Sequence, residues 1–373
     1  MIALEQLNAL PAGEFVATLG GIFEHSPWVA QRAAAARPFA SRLQLLDSMR
    51  AAVDAAAPGE QLALVRAHPQ LGARGRSLSS LTVASAREQR RAGLNACTPA
   101  DAARLEQLNA LYLGKFGFPF LLAVRGHDPA SILAHLEHRL GNDSHREQHM
   151  ALSQIGAIAA YRLADLIVSA PGPEIVAMLE RLARSCEPAG AATGAADLVR
   201  EWMQAAGLEV TVATGGYLIG QTPGGDATAM TLLAGVCRDP LVNAARYEGR
   251  AAFIVAIEVA QQLRHKGAQL RSGLAVMARP DDARVGDAGS LLQSHALPAW
   301  VELGDVDDAE ADAEGREIFR ALRAVELGHT VVALARRASP ASGPRAVAAL
   351  TASAAEQAAR ALEESLRRVQ TAA

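Results

Sequence analysis

Leu64-Val65-Arg66-Ala67-His68-Pro69-Gln70-Leu71-Gly72 decides how the first part of this chain folds. The residues before His68 carry an otherwise helical apolar pattern, and a proline drives the residue ahead of it out of the helical region, so a helix is predicted to end at His68. An imidazole at such a break titrates near neutrality and can take or give a proton at working pH. A His-Pro step is also an ordinary turn, so the residues around it have to carry the rest.

Working outward, residues 42 to 67 read as one or two helices, with Leu43, Leu45, Leu46, Met49 and Val53 on one face and Leu62, Leu64 and Val65 after Pro58-Gly59. Residues 1 to 24 read as one helix interrupted by Pro11 and Gly13. Ser26-Pro27-Trp28 starts another, with Ser26 as N-cap, Pro27 at the first helical position and Trp28 as a core anchor. Residues 70 to 82 read as a loop. Ser85-Ala86-Arg87-Glu88 fits a capping box, with the serine as cap. Thr98-Pro99 and Asp128-Pro129 each open a helix; Gly114 and Gly117 close the first, and Gly141-Asn142 the second. Phe116-Gly117-Phe118-Pro119-Phe120 is either an apolar turn or a backbone shaped to approach a ligand. A last helix spans about 144 to 168.

The 373 residues suffice for two or three domains. Half are hydrophobic but only 4% aromatic, the excess being alanine, which predicts a helix-rich protein. A net charge of −3 with both signs interspersed leaves no footprint for nucleic acid or an anionic membrane, and points to a small-molecule partner. Cys97, Cys186 and Cys237 lie far apart, which argues against disulfides or a cysteine zinc site, and no signal-like start or long apolar run is present. A soluble cytoplasmic protein is expected.

Phe23-Glu24-His25-Ser26-Pro27-Trp28, the His68-Pro69 step, Ser85-Ala86-Arg87-Glu88-Gln89, Lys115 to Phe120, Arg139-Leu140-Gly141-Asn142 and Arg162-Leu163 follow one another in order. Together they resemble the 2-oxo-4-hydroxy-4-carboxy-5-ureidoimidazoline (OHCU) decarboxylases of purine degradation, over residues 5 to 168. The resemblance implies an all-helical domain over 1–169, a homodimer, and conversion of OHCU to (S)-allantoin without a cofactor, because the ring imine accepts the electrons left by carbon dioxide. It implies His68 and Glu88 as the catalytic pair, with Pro69, Ser85, Gln89 and Arg162 at the substrate and backbone contacts from Phe120 and Leu121. Ser85 can serve both as cap and as ligand. Arg139 and Asn142 match a signature and are read as structural.

Ser169-Ala170-Pro171-Gly172-Pro173 is read as a joint. Beyond it, residues 175 to 207 look helical, strands are predicted at 208–213, 217–219, 230–234 and 274–278, and a helix at 250–265, an α/β pattern. Residues Leu232 to Asp239, Arg246 to Gly249 and Arg279 to Asp282 resemble the dinuclear amidohydrolases of the allantoate and N-carbamoyl amino acid type. The fold class expected is therefore multidomain α and α/β, with an α/β metallohydrolase-like domain over 174–373. Cys237 stands where that family has a ligand histidine, Asp239 matches, Glu248 replaces an aspartate, and Asp281-Asp282 replace two glutamates. His295 and His329 are candidates for a late ligand. Ligand changes at several positions should abolish a two-metal site, so no metal is expected and Asp239, Glu248, Asp281 and Asp282 are vestigial candidates. The alternatives are a working second hydrolase, making the chain bifunctional, and a docking or oligomerisation surface. Residues 303–316 read as a solvated acidic loop and 345–370 as an alanine-rich helix.

Overall fold

Proline and short polar caps punctuate the first part of the chain. The computed structural model describes residues 1–72, 82–185, 194–212, 218–223, 230–236, 250–267, 273–279, 331–333 and 360. The chain divides into two compact units, Met1–Ile167 and Val168–Ala373. In the first, β1 (Ile2–Ala3) precedes α1 (Leu4–Ala9), α2 (Ala12–Leu19), α3 (Pro27–Ala33), α4 (Arg42–Asp54), α5 (Pro58–Ala67), α6 (Val83–Arg91), α7 (Pro99–Phe116), α8 (Pro129–Arg139) and α9 (Ser144–Leu166).

Helix α5 starts on Pro58, whose missing N–H costs nothing there, and ends at His68, which is extended (φ −78°, ψ 140°) because Pro69 follows. Thr98 caps α7 by accepting from the Asp101 N–H at 3.1 Å. Asp128 and Asp143 cap α8 and α9 in the same way, each at 2.8 Å. Helix α9 packs against α4 and α5. Small residues on it permit close approach: a Cβ at Gly156 would lie 2.9 Å from Nε of Arg50. Leu7, Phe15, Leu45, Met49, Ile132 and Leu163 are among the fully buried side chains.

Several boundaries differ from expectation. Residues 1 to 24 form two helices, with Pro11 as the N-cap of α2, since proline has no N–H to continue α1. Gly114 lies inside α7, and Gly117, at φ +75°, ends it, because termination needs the left-handed conformation and not merely a glycine. Ser85 is not a cap. Thr82 caps α6, its hydroxyl accepting from the Ser85 N–H at 3.2 Å. Trp28 is half-buried, with Arg32 lying 4.4 Å over its ring.

After β2 (Ile167–Val168), within which the division falls, the second unit holds α10 (Pro171–Ser185), α11 (Ala195–Ala205), β3 (Glu209–Val212), β4 (Leu218–Gln221), β5 (Met230–Val236), α12 (Arg250–His265), β6 (Gly273–Arg279) and β7 (Val331–Ala333). The prolines of the expected joint lie in the first turn of α10, where no intrahelical N–H is needed. The sheet order is β3-β4-β6-β5-β7. The β3–β4 and β4–β6 pairs are antiparallel, and β5 runs parallel to β6 and to β7. Helix α12, buried through Phe253, Ile254 and Ile257, connects the parallel β5 and β6 and packs on both, a βαβ unit. Strand β7 was not read from the sequence: three apolar residues become a strand by pairing with β5. Cys237, Asp239, Glu248, Asp281, Asp282, His295, His329 and the 303–316 stretch lie outside the described residues, as does 345–370 apart from Arg360.

Candidate active site

His68 is 5% exposed, and its Nδ1 lies 2.9 Å from the Leu64 carbonyl oxygen one turn earlier. A carbonyl only accepts, so Nδ1 carries the proton and Nε2 keeps its lone pair. That Nε2 is buried and has no hydrogen-bond partner among the described residues. Burial lowers the imidazole pKa to about 4, outweighing the Leu64 carbonyl and the Glu24 charge, which both raise it. His68 is therefore neutral at working pH, with its basic nitrogen available.

Helix α6 and the segment after α2 meet at Arg162 of α9. Its Nε and Nη2 donate to the two carboxylate oxygens of Glu88 on α6, at 2.9 and 3.0 Å, a two-pronged pairing. Nη2 also donates to the Ser85 hydroxyl at 3.0 Å, and Nη1 to Glu24 at 2.7 Å and to the carbonyls of Gly21 and Ile22 at 3.2 and 3.4 Å. Ser85 Oγ in turn donates to the other oxygen of Glu24 at 3.0 Å. Burial alone would lower the Arg162 pKa, but Glu88 and Glu24 outweigh it and raise it. For fully buried Glu24, burial acts upward, yet the Arg162 charge and the bonds from Thr82, Arg162 and Ser85 together hold its carboxyl below the usual range.

The structure thus joins Ser85, Glu88 and Arg162 in one cluster, but does not pair Glu88 with His68. Glu88 bonds to Arg162 and makes no hydrogen bond to His68; Glu24 is the carboxylate whose charge acts favourably on the imidazole. Arg162, expected to grip substrate, has each nitrogen engaged by protein. Gln89 accepts from the Gly72 N–H at 3.0 Å and donates to the Gln70 carbonyl at 3.4 Å, tying the segment after Pro69 to α6. Phe120 and Leu121 are 1% and 3% exposed and lie in a strap after α7, with no hydrogen bond to the Arg162 cluster.

Glu24 was the residue missed. It follows Ile22-Phe23 and precedes His25, whose φ of 49° reverses the chain so that the Ser26 N–H bonds the Phe23 carbonyl at 3.0 Å. The available signal was a lone acid in an apolar run, matched by a lone arginine in the apolar run of α9, since buried charges persist only in pairs. Gly72 shows a local constraint on the same site. It sits at φ +68°, and a Cβ there would lie 2.3 Å from Leu105 Cδ2. Gly72→Ala is expected to destabilise the unit by about 2 to 4 kcal/mol, adding left-handed strain to overpacking, read as a lowered urea midpoint.

A family model described as OHCU decarboxylase matches residues 8–164. The 2-oxo-4-hydroxy-4-carboxy-5-ureidoimidazoline decarboxylase of Haloferax volcanii is 40% identical over 164 residues, 44% of this chain and 95% of the relative. The chain belongs to the OHCU decarboxylase family. The uric acid degradation bifunctional protein of Bacillus sp. (strain TB-90) is 42% identical over 166 residues, covering 44% of this chain and 32% of the longer relative, so the chain spans about a third of that protein. Among solved structures, an (S)-allantoin synthase is 30% identical at a TM-score of 0.37, covering 46% of this chain and 55% of that one. The family match ends at residue 164, just inside the first unit.

Proposed function

We propose that the first unit decarboxylates OHCU to (S)-allantoin in uric acid degradation, using no cofactor. The observation that carries this reading is the buried His68 Nε2, its lone pair oriented by the Leu64 carbonyl and without a partner among the described residues. When carbon dioxide leaves, its bonding pair becomes a ring C=C bond, the imine pair shifts onto nitrogen, which takes a proton from solvent, and an enol remains. His68 Nε2 takes the hydroxyl proton as the carbonyl forms, and a proton is delivered to one face of the neighbouring ring carbon, which sets the stereochemistry. Arg162 acts by holding Glu88, Glu24 and Ser85 in place. Gln89 fixes the backbone around Pro69 and Gly72, and Phe120 and Leu121 offer backbone N–H groups to the polar edge of the substrate. Glu88 is the second acid–base group, positioned through Arg162 and not through His68.

The full chain mixed with freshly generated OHCU tests this. One allantoin enantiomer should accumulate by circular dichroism faster than in buffer, with or without chelator; a racemic product forming at the buffer rate would sink it. The pH dependence follows from the imidazole. A base must be unprotonated, so kcat/KM should fall on the acid side toward pH 4, where His68 titrates, and not near the ordinary value of 6.5. The same shift makes unfolding take up a proton between those values. Its contribution to stability is full above pH 6.5 and is lost as the pH falls to about 4. A pH–rate profile with an acid limb at 6.5 would contradict the buried neutral imidazole.

Homodimeric assembly and a cytoplasmic setting belong to the same proposal, and sedimentation velocity tests the first. No described helix is long and apolar enough to cross a membrane. For the second unit we infer an amidohydrolase-like α/β domain without metal chemistry, supported by the parallel β5–α12–β6 unit and by Cys237 and Glu248 at ligand positions. Hydrolysis of allantoate on adding Mn²⁺ or Zn²⁺ would favour the bifunctional alternative.

A further inference from the structure

Outside the Arg162 cluster the first unit holds a second buried ion pair, and it grips the strap that carries Phe120 and Leu121. Arg139, in the last turn of α8, is 4% exposed, and Glu147, in the first turn of α9, is fully buried. Nε and Nη2 of Arg139 both donate to one oxygen of Glu147, Nε at 2.8 Å. Asn142 donates to the other oxygen at 2.6 Å, and the Tyr112 hydroxyl donates to the first. The remaining nitrogen of Arg139 does something different. Nη1 donates to the Leu121 carbonyl at 2.6 Å, while the guanidinium carbon lies 4.7 Å over the Phe120 ring. The Tyr112 ring meets Phe120 and Phe118 edge-on at 5.3 and 6.0 Å.

The strap has no helix or strand of its own, so these contacts set its position. It is held again two residues on, where the Ala123 N–H donates to Gln154 at 2.9 Å. Just ahead of the Leu121 carbonyl, the N–H groups of Phe120 and Leu121 donate to no described residue. Free donors in buried residues are costly unless they face a polar group from elsewhere.

We propose that Arg139 is a positioning residue for substrate, holding the strap so that the Phe120 and Leu121 N–H groups meet the polar edge of the ring. The inference rests on the reading of those two residues as substrate contacts. Arg139 touches no reacting atom; it acts through the Leu121 carbonyl and the Phe120 ring.

Arg139→Lys tests it in the full chain. Lysine keeps a charge against Glu147 but cannot reach the carboxylate and the carbonyl together in one planar fork. Asn142→Ala is the comparator, since Asn142 bonds the same carboxylate and not the strap. Arg139→Lys should raise KM for OHCU about tenfold, the size expected for a displaced charge-assisted contact, and leave kcat and its acid limb unchanged. Amide exchange over residues 118–124 should quicken in the lysine variant. Asn142→Ala should lower the thermal midpoint while KM and strap exchange stay at the parent values. If both variants raise KM in proportion to their loss of midpoint, or if Arg139→Lys leaves KM and strap exchange unaltered, Arg139 is structural only and the inference fails. Titration with (S)-allantoin separates the two readings. If the parent protein neither turns over OHCU nor binds allantoin, the decarboxylase reading fails. If allantoin binds and leaves the Phe120 and Leu121 amide resonances unmoved, the strap inference fails alone.

Discussion

Replacing His68 by asparagine is expected to lower kcat for OHCU by about a hundredfold to ten-thousandfold, the usual contribution of a positioned acid–base group. Asparagine is chosen because its amide nitrogen can still donate toward the Leu64 carbonyl, which the imidazole Nδ1 approaches at 2.9 Å, so the end of α5 keeps its local bond. What it removes is the lone pair of a buried nitrogen that no described residue uses. Far-ultraviolet circular dichroism should match the parent, and the stereospecific allantoin signal should collapse toward the buffer rate. The acid limb near pH 4 should vanish from whatever activity is left, since the group that titrates there is gone. Undiminished turnover by a folded variant would take His68 out of the mechanism.

The second large effect is on stability. Arg162→Met should destabilise the first unit by about 3 to 5 kcal/mol near neutral pH, the cost of stripping the partner from a buried ion pair. The loss centres on Glu24, fully buried and paired with Nη1, and extends to Glu88, whose side chain is 27% exposed and so better solvated. The sign with pH distinguishes this from simple loss of packing. In the parent, the Glu24 carboxyl is held below 4.5, so it contributes stability above that value and loses it as acid protonates the group. In the variant, burial acts without Arg162 and pushes the same carboxyl upward. The gap between variant and parent should therefore narrow from pH 7 toward pH 5, measured by urea unfolding. Adding Glu24→Gln should restore part of the loss, a coupling that independent sites would not show. A pH-independent and additive pair of effects would contradict the charge cluster.

The signals that were legible in the chain are local ones. Pro69 stops α5 at His68 because its ring excludes the helical conformation from the residue before it, and that single steric fact places the imidazole at a helix end. Thr98-Pro99 and Asp128-Pro129 open α7 and α8 through contacts with their own next residues. Where two local signals competed, the reading went wrong. Ser85 and Glu88 have capping-box spacing, but Thr82 lies three residues earlier and takes the cap, which releases both side chains for Arg162. Glycine alone did not say whether α7 ends at 114 or 117, because the decision depends on which one can turn left-handed against its surroundings.

By itself, then, the sequence determined the helical first unit, the α/β order of the second, the position of His68 and the set of chemical groups available, since each of these follows from backbone sterics and short-range spacing. Only the tertiary structure decided that Glu24, 138 residues from Arg162 along the chain, shares that arginine with Glu88, that the Leu64 carbonyl orients the imidazole, and that Arg139 reaches the Leu121 carbonyl. Partners of buried charges are chosen by which surfaces come together when apolar faces pack, and desolvation then makes each remaining pairing obligatory. That choice is written in no single stretch of the chain.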